Sequence, residues 1–453
     1  MKVLFLSPNV PYPPLNGGHH RNLGLIRSAS RFASVRVLAI GDPREPRVEQ
    51  ARRHLSTLGA TLEVFQPTGP GRPEQDEATA RPPDAACHFR APELREAIER
   101  SPAEGFDLAH VEEMVMAQYV DLLACPLVID RHKVDWAYHE AMAAVTPAEA
   151  RVHLDEAARF RHWERQLCGA FERILVPGAG DRELLEALHG PGTVTVIPIG
   201  IADELRPSAA RSGRIEHVLL YGALDYGPNV AAQRWFFDAV WPELRRRATQ
   251  LTVRVVGSGR PPLGGPQPAD PRVEMRGFVP DLAGVLGAPG VLVVPLRVGG
   301  GARTKVLEAL ACAMPVVSTA VGVENLDLVP ERDFLVAETA QEFQEAVLRL
   351  LRDPELVCRL GRRGVERAEP FRWSRIEPLL ESVYRQAVAG ERRRRPATPR
   401  PLPVSPARGR WRRCSDRVAQ RLLDVLLLPS RRSGLREILR RRAARVLAAV
   451  FRR

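Results

Sequence analysis

The chain has 453 residues, 45% hydrophobic and 26% charged, which is too long for one ordinary core of about 100 to 200 residues and too apolar for a disordered chain. Its net charge of +12 is lopsided: residues 391–453 hold 20 arginines against four acidic residues, a net +16, which leaves the first 390 residues at −4. The body is mildly acidic, and the question of a basic partner belongs to the tail alone.

From the first residues onward, short β-branched runs alternate with longer helical patterns, as in parallel sheets flanked by helices. Strands are expected over 2–6, 35–40, 61–65, 108–111, 127–129, 174–176 and 193–197. The apolar run at the start, broken by Ser7 and Pro8, is too short for a signal-peptide core and reads as the first strand. Residues 66–85 (QPTGPGRPEQDEATARPPDA) read as a mobile loop inside the first domain, and residues 198–207 (PIGIADELRP) have the turn chemistry of a linker. The alternation then restarts with strands over 215–221, 252–256, 273–275, 291–294 and 315–317, so the domain boundary falls near 200.

The longest apolar stretch, 284–296, contains Pro289 and Gly290 and falls well short of the roughly 20 residues a membrane span needs. Cys87, Cys125, Cys168, Cys312, Cys358 and Cys414 form no CxxC pair, so neither a disulfide framework nor a zinc site is indicated, and a reducing cytoplasm fits.

Ligands of open α/β sheets bind at the carboxyl ends of strands, and two such domains facing each other make a cleft there. After the first strand, SPNVPYPPLNGGHHRNLGLIRS places Gly17 and Gly18 ahead of a helical pattern. Two glycines before a helix leave backbone N–H groups open to an anion such as a diphosphate, although such a pair also makes a plain turn. The second candidate is LRVGGGARTKVLEALACAMPVVST, where Gly299, Gly300 and Gly301 lead into a helix carrying Arg303, Thr304, Lys305 and Glu308. A glycine loop, a helix N-terminus, two cations and a carboxylate are the parts needed to hold a diphosphate and a ribose. The chain has only three lysines against 63 arginines, so a lysine at 305 points to a need for a compact point charge. The plain alternative is a surface Lys305–Glu308 pair one turn apart. His110 in FDLAHVEE, and Asp130 with His132 in VIDRHKVDWAYHE, stand at further strand ends on the same expected rim.

The runs LLYGALDYGPNVAAQRWF, RVVGSG, MRGFVPDLAGVL and VPLRVGGGARTKVLEALACAMPVVSTAVGVENL resemble the donor-binding domain of family-4 retaining glycosyltransferases of the GT-B fold. The resemblance is to the sugar transferases associated with bacterial exopolysaccharide clusters, and FLSPNVPYPPLNGGHHRNLGLI is similar to that family's acceptor-domain start. It covers roughly residues 1–390. What it implies is an α/β chain with two Rossmann-like domains facing a cleft: an acceptor-side domain over 1–200, a nucleotide-sugar donor domain over 201–372, and a helix over 373–390 returning to the first domain. A basic amphipathic extension follows over 391–453.

By this resemblance Glu308 matches the second Glu of the E-x7-E motif and binds the donor ribose. Arg303 and Lys305 lie near the diphosphate, and His110 lies near the sugar or diphosphate; the residue reading adds Gly17, Gly18, Gly299, Gly300, Gly301 and Thr304 to the donor-binding set. The sequence departs from the family pattern where the first Glu falls at Gly300, and where the Arg and Lys after the first strand of this domain fall at Ala223 and Pro228. Asn229 reads as the cap of the following helix.

The implied activity is transfer of a sugar from a nucleotide donor to a polysaccharide or lipid-linked acceptor, with retention. With retention, no dedicated general base is required, because the departing phosphate oxygen can receive the acceptor proton; such a site needs no DxD-like metal motif, none stands in a suitable loop, and no metal or other cofactor is expected. A nucleotide-sugar 2-epimerase and a non-catalytic nucleotide-sugar-binding scaffold remain as the two other readings. The last body helix is announced by Trp373, Ile376, Leu380 and Val383 at helical spacing. Beyond it a Pro- and Arg-rich linker leads to two amphipathic stripes, read as an anchor on the anionic inner face of a membrane. Nucleic acid ranks behind, since Trp411 and Phe451 are the tail's only aromatics. The expected location is cytoplasmic and peripheral on that membrane face.

Overall fold

Among the described residues of the computed structural model, 1–68, 83–145, 149–208, 213–259, 270–297 and 303–390, every strand of the two sheets runs parallel to its neighbours. The first sheet holds β1 (Lys2–Ser7), β2 (Ser34–Ile40), β3 (Ala60–Phe65), β4 (Leu108–Glu112), β5 (Leu127–Asp130), β6 (Arg173–Val176) and β7 (Val194–Val196), in the order β3-β2-β1-β4-β5-β6-β7. The second holds β8 (His217–Tyr221), β9 (Thr252–Val256), β10 (Val273–Gly277), β11 (Gly290–Val294), β12 (Val316–Ser318) and β13 (Leu335–Val336), in the order β10-β9-β8-β11-β12-β13. Strand order reverses between β1 and β4 and again between β8 and β11, and each reversal opens a crevice at the carboxyl ends of the strands.

Both faces of each sheet are covered, which is why these strands read as continuous apolar runs rather than alternating ones. In the first sheet Leu4, Leu6, Leu38 and Ile40 pack into one core, while Val3, Phe5, Val35 and Val37 pack into another. The second sheet repeats the division, with Leu219 and Leu292 on one side and Val218 and Val291 on the other.

The helix Trp373–Ala389 closes the second of the first sheet's cores, burying Trp373, Ile376, Leu380, Val383 and Tyr384 against Val3, Phe5, Leu25 and Ile26. Its entry is fixed by a parallel bridge between Ile201 and Arg372, the two segments that cross between the sheets. Ile201 N donates to Phe371 O at 2.8 Å, and Trp373 N to Ile201 O at 3.2 Å. Trp373 then wedges between two glycines: a methyl group on Gly24 would fall 1.8 Å from the indole, and one on Gly200 would fall 2.2 Å from it.

The expected strands are present, with informative differences at their ends. β1, β4, β5 and β12 each run one residue beyond their last apolar position, onto Ser7, Glu112, Asp130 and Ser318, all fully buried. Polar residues stop a pattern-based reading, yet here they extend the strands into the crevices. β13 is only two residues long, too short to stand out as a pattern. Gly299, Gly300 and Gly301, most of the Pro/Gly-rich loop (69–82) and the tail (391–453) lie outside the described residues. No described helix is long and apolar enough to cross a membrane.

Candidate functional site

The two sheets face each other across a cleft of about 980 Å³. On the first-sheet side the helix Gly17–Ala29 begins two residues earlier than a loop-then-helix reading implies. Asn16 is its cap, accepting from His19 N at 3.0 Å, so Gly17 and Gly18 form its first turn instead of a loop before it. A methyl on Gly18 would meet His132 Nδ1 at 3.1 Å, and one on Gly17 would meet Thr304 Oγ1, across the cleft, at 3.5 Å. The small residues therefore let this helix end approach both walls.

Beneath it lies a buried ionic floor built from the polar strand ends. Arg21 clamps Asp130 with two bonds, Nε to Oδ2 at 2.6 Å and Nη2 to Oδ1 at 2.5 Å. His132 lies 2.9 Å from Glu112 Oε2, 3.0 Å from Glu113 Oε1 and 3.4 Å from Asp130 Oδ2. Burial alone would pull the His132 imidazole down, but Glu113, Asp130 and Glu112 outweigh it and hold the ring protonated well above its usual range. Burial would push the Glu113 carboxyl up, but His132 and Lys133 win and keep it far below the carboxylate range. Glu113 adopts φ 58 at the start of its short helix, a left-handed conformation that side chains avoid and that recurs at functional sites.

On the second-sheet side, Arg303 precedes the helix Thr304–Ala311 and is buried, its Nε donating to Val321 O at 3.0 Å and its Nη2 lying 3.5 Å from Glu324. Lys305 Nζ donates to Asn229 Oδ1 at 2.9 Å, while Asn229 Nδ2 donates to Ala223 O at 2.9 Å. Burial, then the neighbouring Arg303, pull the Lys305 ammonium down to about 7, with Glu308 opposing. Burial raises the Glu308 carboxyl, with His20, the neighbouring Tyr221 hydroxyl and Lys305 opposing. Thr304 Oγ1 is buried with no hydrogen-bond partner among the described residues.

Several expectations change here. Lys305 and Glu308 are not a surface pair, since both line the cleft and each has a partner on another element. Asn229 is not a cap: Tyr226 holds the cap position of the helix Gly227–Trp235, and the Asn229 amide ties Lys305 to the turn after β8. His110 does not reach the cleft. It is fully buried, stacked on Phe5 at 4.3 Å and bonded to Tyr384 and Glu112, because its side chain points to the sheet face covered by the returning helix.

Residues 45–205 match the family described as Glycosyltransferase Family 4, and residues 216–353 match Glycosyl transferases group 1. A D-inositol 3-phosphate glycosyltransferase of Saccharomonospora viridis is 26% identical over 409 residues, covering 81% of this chain and 88% of that protein. The chain is a GT-B glycosyltransferase of the group 1 and family 4 type. Among solved structures, a sucrose-phosphate synthase from Thermosynechococcus elongatus aligns with a TM-score of 0.63 at 18% identity, over 86% of this chain and all of that one. The Anabaena protein HepE, solved in complex with UDP and glucose, aligns with a TM-score of 0.61 at 16% identity, over 85% of this chain and all of that one.

In this glycosyltransferase, Glu112, Asp130 and His132 each offer one ligand atom within 4.8 Å of the others, the geometry of a small cation site. The donor chemistry does not fit one. Both Asp130 oxygens are taken by Arg21, and a protonated His132 has no lone pair to give. With Arg21 counted, two cations face the two carboxylates and the cluster balances its own charge.

The sequence reading had singled out Arg303, Thr304, Lys305, Glu308, Gly17 and Gly18 from two distant segments, and all six line the cleft. It missed Glu112, Glu113 and Tyr221 as partners in the site, and Arg21 as the clamp on Asp130. The available signal was the run HVEE, a polar doublet directly after a buried strand.

Proposed function

We propose that this glycosyltransferase moves a sugar from a nucleoside-diphosphate donor to a glycan or lipid-linked acceptor, with retention and without a metal, in the synthesis of cell-surface or extracellular polysaccharide. The observation that carries the reading is the cationic corner of the cleft: Arg303, Lys305 and the unpartnered Thr304 hydroxyl gather at one helix N-terminus, with Glu308 one turn further in. Lys305 has no carboxylate within ion-pair distance among the described residues, so its counter-charge is left for a ligand to supply. A diphosphate supplies it, and Glu308 accepts from ribose hydroxyls. The UDP and glucose bound by the Anabaena neighbour, and the glycosyltransferase activity named for the Saccharomonospora relative, support this class of donor.

In the transfer, the bond from the anomeric carbon to the phosphate oxygen breaks and a bond to the acceptor oxygen forms. The acceptor proton passes to the departing phosphate oxygen. Arg303 and Lys305 stabilise the negative charge that grows on the leaving group. Glu113 places a fixed carboxylate on the opposite wall, where the sugar gains oxocarbenium character. Residues 391–453, from their sequence, hold the enzyme at the inner, anionic face of a membrane.

The test is a panel of nucleotide sugars, read first by thermal stabilisation and then by product analysis with and without acceptor. Acceptor-dependent transfer with the donor's anomeric configuration kept is the expected result. A sugar altered without acceptor would reassign the chain as an epimerase, and binding with no turnover would reassign it as a scaffold.

A further inference from the structure

A single chain of hydrogen bonds runs from the returning helix to the floor of the cleft. The Tyr384 hydroxyl lies 2.6 Å from His110 Nδ1, His110 Nε2 lies 3.1 Å from Glu112 Oε1, and Glu112 Oε2 lies 2.9 Å from His132 Nε2. His132 Nδ1 then lies 3.0 Å from Glu113 Oε1. Tyr384, His110 and Glu112 are fully buried, and only the last two members, His132 and Glu113, line the cleft.

Counting donors and acceptors fixes the direction of each bond. As a carboxylate, Glu112 has only acceptors to offer, so both histidines turn an N–H toward it, each from Nε2. His110 is then left with a bare Nδ1, which accepts from the Tyr384 O–H. His132 donates its second N–H to Glu113. The rings that carry the chain are held in place by packing: Phe5 stacks on His110 at 4.3 Å and 6°, and Phe32 meets Tyr384 edge-on at 5.8 Å. A helix serving only as a strap needs apolar residues on its inner face, and this one spends a hydroxyl there.

We propose that Tyr384 is a positioning residue, acting through His110 and Glu112 to set the place and N–H direction of His132 at the cleft floor. The inference rests on the reading of the cleft as a sugar-transfer site. It gives the returning helix, which leaves the second domain at Arg372, a say in the geometry of the first domain's half of the site. It also returns His110 to the mechanism, one step removed from the substrate.

Tyr384→Phe keeps the ring and its packing and removes only the hydroxyl. Its expected effect is a fall in kcat of about 10- to 100-fold, the cost of misplacing a group near the reacting atoms, with the dissociation constant for UDP unchanged. The ring N–H proton resonances of His132 should move in the same variant, although Tyr384 does not touch His132. His110→Gln can still accept from Tyr384 and donate to Glu112, and should stay close to the parent. His110→Phe keeps the stack on Phe5 but neither bond, and should behave as Tyr384→Phe does. If Tyr384→Phe fails to fold, the contrast between the two His110 variants decides the matter alone. Unmoved His132 resonances together with parental kcat would overturn the relay and leave the transferase reading standing. If the parent turns over no nucleotide sugar, that reading fails, and the His132 resonances still judge the relay, which unmoved signals would refute.

Discussion

Arg21 and Asp130 form a two-pronged ion pair with both side chains essentially shut off from solvent, at 1% and 0% exposure. Two charges removed from water in this way are stable only together, because either one left alone keeps its desolvation cost and loses its partner. Asp130→Ala should therefore destabilise the fold by about 3–5 kcal/mol, read as a lowered urea midpoint with little change in slope. Burial would raise the Asp130 carboxyl, but Arg21 and then His132 hold it far below the usual range. A depressed folded value adds stability above the ordinary carboxylate value of about 3.9 and loses it as the pH falls below that. The parent should accordingly lose more stability between neutral pH and pH 3 than Asp130→Ala does; equal losses would mean the pair does not behave as a buried one.

Glu308 makes a cleaner binding test, since its carboxylate meets the Tyr221 hydroxyl at the cleft wall rather than inside either core. Glu308→Ala should weaken UDP or GDP binding by roughly tenfold or more, in line with about 1.5–3 kcal/mol for a hydrogen bond to a charged group. The thermal midpoint without ligand should hardly move. Parental affinity in that variant would show that the ribose is held elsewhere.

How much of this was legible beforehand depends on which interactions are local. The thirteen strands of the described residues were nearly all visible because buried parallel strands are runs of Val, Leu and Ile, and the helix at 304–311 announced its chemistry within a few residues. What the pattern could not show is which sheet face a strand residue takes. His110 and Glu112 share a face through their spacing of two, and that face belongs to the returning helix 274 residues further on. The contact of Lys305 with Asn229 spans 76 residues. The sequence marked Lys305 by its place at the helix start and by the rarity of lysine, but gave no sign of its partner. Ser7 and Glu112 were left outside their strands, and Asp130 was placed just past its own, for the opposite reason: polar residues end a hydrophobic pattern, although they continue the strand.

Lys305 carries a pH prediction with a definite sign. Burial and then Arg303 bring its ammonium down to about 7, so above that pH the empty site holds a neutral amine. A diphosphate prefers the charged form, and binding should draw in a proton. Affinity for UDP should thus be highest below pH 7 and weaken by up to about tenfold per pH unit above it. Asn229→Asp would put a carboxylate at the bond Lys305 now makes to an amide. The lysine then stays charged and already paired, so overall affinity should drop while the pH dependence above 7 disappears. Titration calorimetry in buffers of different ionisation enthalpy counts the proton directly, and no uptake at pH 8 in the parent would refute the assignment. Arg303→Ala and Lys305→Ala should each lower turnover far more than stability, as groups facing leaving-group charge do.

The tail prediction stands on sequence alone. Residues 391–453 carry a net +16, with Leu435, Ile438, Leu439, Val446 and Val450 forming a stripe among arginines. Each cation close to an anionic bilayer contributes about 1 kcal/mol, and the apolar stripe adds buried area, so together they can hold the enzyme at the surface. Full-length protein should float with anionic vesicles at low salt and be released as salt screens the charge. A chain ending at Gly390 should stay at the bottom of the gradient and bind donor as the parent does, because the cleft-lining residues all precede it. Vesicles of neutral lipid separate the two contributions: binding that persists there comes from the apolar stripe, and binding that vanishes comes from charge. Equal flotation of the two chains on anionic vesicles would remove the tail from the membrane reading, and retention of the full chain by RNA in preference to vesicles would transfer its charge to a different partner.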